Sequence, residues 1–209
     1  MSQSPVEAPE SGNRGAKRRL ESRNRLLSAA RKLFVSRGYH ETRPQDISKV
    51  AGLGHGTFYL HFKDKRECFI AFVEEARAEI DAAVVARALH AKSLSEFVEA
   101  VLTAIYDYAE EHAGVLATAL SDEAIIASGS GAGEEDTLLH RWGAEWAELL
   151  KTQAKEGVVA KDFDFPLLGQ AIVGAIHQAS SFSYRRGRSR AALLKTLTQF
   201  IVRALSPRK

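Results

Sequence analysis

The sequence predicts an all-α chain, and three observations predict it. Apolar residues recur three and four apart over most of the 209 residues, and no stretch sustains the period of two that a strand needs. Residues Pro44 to Phe62 read as two short helices joined by a tight turn. Charge is divided along the chain: residues 1–63 hold twelve Lys/Arg and five Asp/Glu, whereas residues 64–209 hold seventeen and twenty-one. A basic N-terminal third on an acidic remainder implies a phosphate-facing head and a body that meets something else.

Met1 to Gly15 is rich in Ser, Pro, Glu and Gly without periodicity, so residues 1–15 are expected to be disordered. No apolar segment there suggests a signal peptide. Lys17-Arg18-Arg19, with Arg14, Arg23 and Arg25, is either a solvated helix start or an arm that reaches the DNA backbone or minor groove. Leu26, Ala30, Leu33 and Phe34 form the stripe of a first helix, stopped at Arg37-Gly38. Pro44 suits a first helical position, having no N–H to lose there. Ile47, Val50 and Ala51 share a face, Gly52 ends the helix, and Leu53 plugs the turn. The second helix opens at Gly54-His55-Gly56-Thr57 and is buried through Phe58 and Phe62, leaving Thr57, Tyr59, Leu60 and His61 outward. This suits insertion into a major groove. The DNA-binding head is placed at residues 16–63 and the body at 64–209.

The body begins with a helix over 64–89 carrying Phe69, Phe72, Val73, Ala76 and Ile80, with no Gly or Pro between head and body. Ser93-Leu94-Ser95-Glu96 is a capping box opening the next helix. A shorter one follows Gly114 to about Ala127, and Ser128–Gly133 is a loop. Leu138 to Gly157 holds another helix, with Trp142 and Trp146. The last two run from Pro166 to about Arg186 and from Arg190 to Leu205, giving about nine in all. Arg185-Arg186-Gly187-Arg188-Ser189-Arg190 reads as a solvated turn.

No chemistry of catalysis is legible. There is no His-Glu-x-x-His, no cysteine pair for zinc and no nucleophile elbow, so no enzyme, metal or cofactor is expected. The one cysteine, Cys68, lies on an apolar helix face and is expected to be a buried, inert thiol. No run approaches a membrane span, and a cytoplasmic location is expected. Phe72, Phe97, Tyr106, Trp142 and Trp146 spread over several body helices. They pack as ordinary core, or they line an apolar small-molecule pocket with Tyr106, His177 or Gln178 as polar fixtures.

Leu27, Ala29-Ala30, Leu33-Phe34, Gly38-Tyr39, Thr42, Ile47, Ala51-Gly52, Gly56-Thr57, Tyr59, Phe62 and Lys65 together closely resemble the N-terminal domain of tetracycline-repressor (TetR) family transcription regulators. The likeness covers about residues 20–70; the rest is similar only in helix count and order. The resemblance implies a homodimer, each subunit having a three-helix helix-turn-helix head and a six-helix ligand-binding and dimerisation body. The last two helices would form the dimer's four-helix bundle, with Gly174 allowing close approach. The resemblance also implies that Arg43, Gln45, His55, Gly56, Thr57, Tyr59 and His61 meet double-stranded DNA and that Lys65 meets a phosphate. A two-fold dimer implies a near-palindromic operator.

Arg43 departs from the family pattern, which usually has a Ser or Thr cap there; Thr42, counted with the DNA-facing residues, is the alternative cap. The reading that follows is a transcriptional repressor released by a small, mostly apolar effector that shifts the helix over 64–89. The rivals are a ligand-independent DNA-binding or architectural protein and a small-molecule carrier that retains the head.

Overall fold

The computed structural model describes residues 11–121 and 137–207. Those residues form nine helices and no strand: α1 (Ser11–Glu41), α2 (Pro44–Val50), α3 (His55–Tyr59), α4 (Lys65–Ala88), α5 (Leu94–Glu111), α6 (Val115–Ser121), α7 (Leu138–Lys155), α8 (Phe165–Arg185) and α9 (Arg190–Leu205). The all-α expectation holds. The chain packs as two compact units, Met1–Phe72 and Val73–Lys209, so the division falls inside α4 rather than at its start.

In the first unit, α1 begins at Ser11, so residues 11–15 are helical where disorder was expected. Extending a helix costs far less than nucleating one, and no proline stands between Pro9 and Pro44 to stop it. The expected break falls at Gly38, whose φ of 80° and ψ of 169° leave the helical region. A residue with a Cβ is strained at that φ. Leu26, Ala30 and Phe34 of α1, Ile47 of α2, Phe58 of α3, and Cys68, Phe69 and Phe72 of α4 are fully buried. Rings dominate this core: Phe34 meets Phe69 edge-on at 5.2 Å and Phe72 at 5.8 Å, and Tyr39 meets Phe69 at 5.1 Å. Phe72 therefore belongs to the head's core and lines no pocket of the body. The Cys68 thiol is buried as expected, and its pKa is pushed up to about 12 by that burial.

Val50 does not share the buried face of α2. It is 51% exposed, and the inward residues are Ile47, Ser48 and Ala51. A seven-residue helix has room for one narrow stripe, and Val50 lies on its flank.

In the second unit, α7 packs on α8 and α5 on α9. The core joins Val98, Leu102, Trp146, Leu150, Ile172, Ile176, Leu197 and Ile201. Each of these helices has a side-chain cap: Ser93 accepts from the Glu96 N–H, Thr137 from His140, Asp164 from Leu167 and Ser189 from Ala192. Ser93 caps the helix as expected, but the Glu96 carboxylate accepts from the Lys92 N–H at 2.8 Å, one residue before the cap, rather than from Ser93 as a capping box would have it. The α7–α8 crossing is set by two glycines. A Cβ on Gly169 would lie 2.0 Å from the Gly143 carbonyl oxygen, and one on Gly143 would lie 2.4 Å from the Gln170 side chain. Gln170 is itself fixed, its Nε2 donating to the His140 carbonyl at 2.9 Å. Gly174, expected to allow a close approach, has nothing within 4 Å of its Cβ position in this chain.

Ion pairs tie the surface of the second unit together. Arg77 of α4 pairs with Glu145 of α7, and Arg141 of α7 with Glu74 of α4. Arg190 is not a solvated turn residue: it bonds Asp107 and, at 2.7 Å, Glu110 of α5, and Arg87 of α4 also pairs with Asp107. The extension of α6 to Ala127 and the Ser128–Gly133 loop lie outside the described residues.

Candidate nucleic-acid interface

The surface that could meet DNA is built from the ends of two short helices. Arg43 is the N-cap residue of α2, with extended backbone (φ −114°, ψ 148°) and no capping bond from its side chain. Its guanidinium is left to the exposed surface beside Gln45. The chain then turns on Gly52, whose φ is 64°, and the Leu53 N–H returns to the Ser48 carbonyl at 2.9 Å. Gly54 caps α3 without a side chain.

On α3, the residues His55, Gly56, Tyr59 and Leu60 are exposed and Thr57 is half-buried, while Phe58 points into the core. Positions 55, 56, 59 and 60 lie on one face of a helical turn, since residues four apart stack. Tyr59 is 53% and Leu60 68% exposed, and the His55 ring stands edge-on to Tyr59 at 5.3 Å. This face offers an imidazole, a phenol, an apolar side chain and a backbone with no Cβ at Gly56. Such groups can bond base edges, touch a thymine methyl and approach phosphates closely. Arg14, Lys17, Arg18 and Arg19 are exposed on α1 of the same unit.

Three expected contacts are arranged differently. Thr42 is fully buried, and its hydroxyl donates to the Gly38 carbonyl at 2.8 Å. It neither caps α2 nor reaches a DNA surface, because the break at Gly38 leaves a carbonyl that needs a donor. His61 is half-buried against α1. The Ser22 hydroxyl donates to the Arg19 carbonyl at 2.9 Å, so at the 2.7 Å contact between Ser22 Oγ and His61 Nε2 the imidazole N–H is the donor. Burial, then the Arg19 and Arg23 guanidinium groups, hold the His61 pKa below its ordinary value. It is therefore a neutral donor near pH 7 and adds no positive charge. Lys65 Nζ donates to the Tyr39 carbonyl at 2.8 Å and the His40 carbonyl at 3.3 Å, and sits 4.2 Å from the Tyr39 ring centroid. Burial lowers its pKa. Two of its three N–H groups are thus spent on the end of α1.

Of the residues expected to line a body pocket, Phe97, Tyr106, Trp142 and Trp146 pack in one core, whereas Phe72, His177 and Gln178 do not join it. Phe97 and Trp146 meet edge-on at 6.0 Å, and Trp142 packs half-buried on the same core. Tyr106 bonds Ser180 of α8, whose hydroxyl also contacts the Ile176 carbonyl at 2.5 Å. Burial raises the Tyr106 pKa, so its phenol stays protonated. His177 and Gln178 are exposed on the opposite side of α8 and are no polar fixtures of this core. Arg25 is neither the solvated helix-start residue nor the arm cation that its sequence offered as alternatives. Its Nη2 donates to the carbonyls of Ala51 at 2.6 Å and Gly52 at 3.2 Å. No sequence signal separates that role from a phosphate contact.

The family model described as "Bacterial regulatory proteins, tetR family" matches residues 26–72. Over 195 residues the chain is 22% identical to the uncharacterized HTH-type transcriptional regulator YdgC of Bacillus subtilis, covering 90% of this chain and 95% of that protein. The transcriptional activator FasR of Mycolicibacterium smegmatis is 40% identical over 68 residues, 32% of this chain and 31% of its own. The structure of the regulator FadR from Bacillus subtilis in complex with stearoyl-CoA superposes with a TM-score of 0.69 at 20% identity, over 87% of this chain and 98% of that one.

Proposed function

We propose that the chain, whose residues 26–72 match the tetR family of bacterial regulatory proteins, is a sequence-specific DNA-binding transcriptional regulator that acts as a homodimeric repressor released by a small, mostly apolar effector. One observation carries the DNA-facing part of this reading: Arg43, Gln45, His55, Gly56 and Tyr59 are exposed together on the ends of α2 and α3, above a head whose interior is packed rings. In our reading Gln45 and His55 read bases. Tyr59, Thr57, Arg43 and the remaining N–H of Lys65 hold phosphates. Leu60 touches a thymine methyl.

Selection of bound duplex from a random pool tests the assignment. The wild type should enrich a near-palindrome, and Gln45→Ala or His55→Ala should change the enriched bases. Unaltered selection profiles for both would refute their reading role.

The dimer reading is supported by α8. Leu167 (70% exposed), Ala171, Gly174, Gln178 and Phe182 (44% exposed) follow one another four, three, four and four residues apart on its uncovered side. An apolar stripe with a glycine at its centre suits a second helix packed closely against it. The effector reading is supported by the mostly apolar surroundings of Phe97, Trp146 and Tyr106, and by the apolar acyl chain of stearoyl-CoA held by the FadR structure of the same fold. The effector must prefer the non-DNA geometry; a ~100-fold preference supplies about 2.7 kcal/mol of coupling. We place the protein in the cytoplasm and give it no catalytic role. Among the described residues no helix is long and apolar enough to cross a membrane, and no group of three or more His, Cys, Asp or Glu could hold a metal ion. Release of the selected operator in a gel shift, scanned against apolar and acylated metabolites, tests the effector. A panel that releases nothing would favour the ligand-independent rival.

A further inference from the structure

The basic segment at the start of the chain contains more than a set of cations. Arg19, Ser22 and Arg25 are three residues apart, so they form a row along one side of α1. Each reaches the helix-turn-helix. Arg25 Nη2 bridges the Ala51 and Gly52 carbonyls at 2.6 and 3.2 Å, at the turn that leads into α3. Ser22 Oγ accepts from His61 Nε2 at 2.7 Å, just past the end of α3. Arg19 Nη2 lies 3.5 Å from the Leu60 carbonyl beside it.

The turn needs this help. The last carbonyls of a helix have no donor within the helix, and α2 has only seven residues. A cation there satisfies the carbonyls and opposes the helix dipole. The fit is close: a Cβ on Gly52 would lie 3.0 Å from Arg25 Nη2. Helix α3 itself has five residues and no side-chain cap at its N-terminus, so it cannot fix its own orientation.

We propose that this row of α1 is a clamp that fixes the recognition helix at both ends, with Arg25 and Ser22 as positioning residues for base reading rather than phosphate contacts. The inference rests on the DNA-facing reading of α3 and assigns roles which that reading does not.

A phosphate contact and a positioning residue differ in salt dependence. Losing a phosphate contact lowers the slope of log K against log salt by about one and weakens all sequences alike. Losing a positioning residue weakens only the cognate sequence and leaves the slope in place. The test uses the full chain, the duplex selected by the wild type, and a scrambled duplex of the same length, titrated at several salt concentrations. For Arg25→Gln we expect roughly tenfold or greater loss on the selected duplex, less than twofold on the scrambled one, and an unchanged slope. Arg25→Lys, which can still donate to both carbonyls, should recover most of the loss. Ser22→Ala is the milder variant, to be read the same way should Arg25→Gln fail to fold by circular dichroism. A slope reduced by about one with equal losses on both duplexes, or no loss at all, overturns the proposal. A wild type that enriches no sequence overturns the DNA-facing reading of α3 instead.

Discussion

Lys65 closes a helix end with part of its donor capacity and, in our reading, holds a phosphate with the rest. Its ammonium holds the Tyr39 and His40 carbonyls and faces the Tyr39 ring, closing the end of α1 onto the start of α4. Charge-assisted bonds of this kind contribute about 1.5–3 kcal/mol each when buried, and less at a half-exposed site such as this one. Lys65→Ala should therefore cost about 1 kcal/mol, seen in the denaturant midpoint, and should lower the salt slope of DNA binding by about one. A stability loss with an unchanged slope would leave it a purely structural residue. His61 gives a pH dependence. Its folded pKa lies below the unfolded value of about 6.5, so near and below that pH the unfolded chain binds a proton that the folded one resists. Its contribution is then full above about pH 6.5 and is lost as pH falls through that value. His61→Gln keeps a donor for Ser22 and removes the titration. Denaturant midpoints at pH 7.5 and 5.5 should move further apart in the wild type than in the variant, and parallel movement would exclude His61 as the cause.

Among the elements, α7 and α8 pack closely enough for a single methyl to matter. The two backbones approach where Gly169 faces the Gly143 carbonyl, leaving no room for a Cβ at 2.0 Å. Side-chain rotation cannot relieve that contact, because the atom met is backbone. Gly169→Ala should cost about 1–3 kcal/mol by forcing the helices apart, whereas Gly174→Ala in the monomeric fold should be neutral or slightly stabilising. Chemical denaturation of the two variants checks the contrast. Short elements behave oppositely. Helices α2 and α3 have seven and five residues and draw their stability from Ile47, Phe58 and Phe62 in the core and from partners on α1.

At the scale of the whole molecule, α4 begins in one unit and ends in the other, and its second half is ion-paired to α5 and α7. The first half of the same helix supplies Phe69 and Phe72 to the core of the head. The uncovered stripe of α8 leads to the dimer prediction. Gly174→Arg places a long cation at the centre of that stripe, where in the monomer there is open space. The variant should fold normally, sediment as a monomer, and lose cooperative operator binding by at least about tenfold. A Gly174→Arg protein that remains dimeric would place the interface elsewhere.

The chain's local chemistry by itself determined its fold class and the location of its helix-turn-helix. Helical periodicity, Pro44 at a first turn, and glycines at Gly38 and Gly52 are conditions that each short stretch satisfies alone, so they can be read without knowing what lies opposite. Exposure of Arg43, Gln45, His55 and Tyr59 followed, because Ile47, Phe58 and Phe62 left them no other face. What the tertiary structure alone decided is partnership between distant residues. Thr42 turns inward to the carbonyl left at Gly38, and Lys65 and Arg25 spend their charge on carbonyls 26 residues away. Phe72 joins the rings of the head, and His177 falls on the uncovered side of a helix whose apolar residues nearly encircle it. A donor or a ring shows in the sequence that it needs a partner; which partner it finds depends on how the helices are brought together.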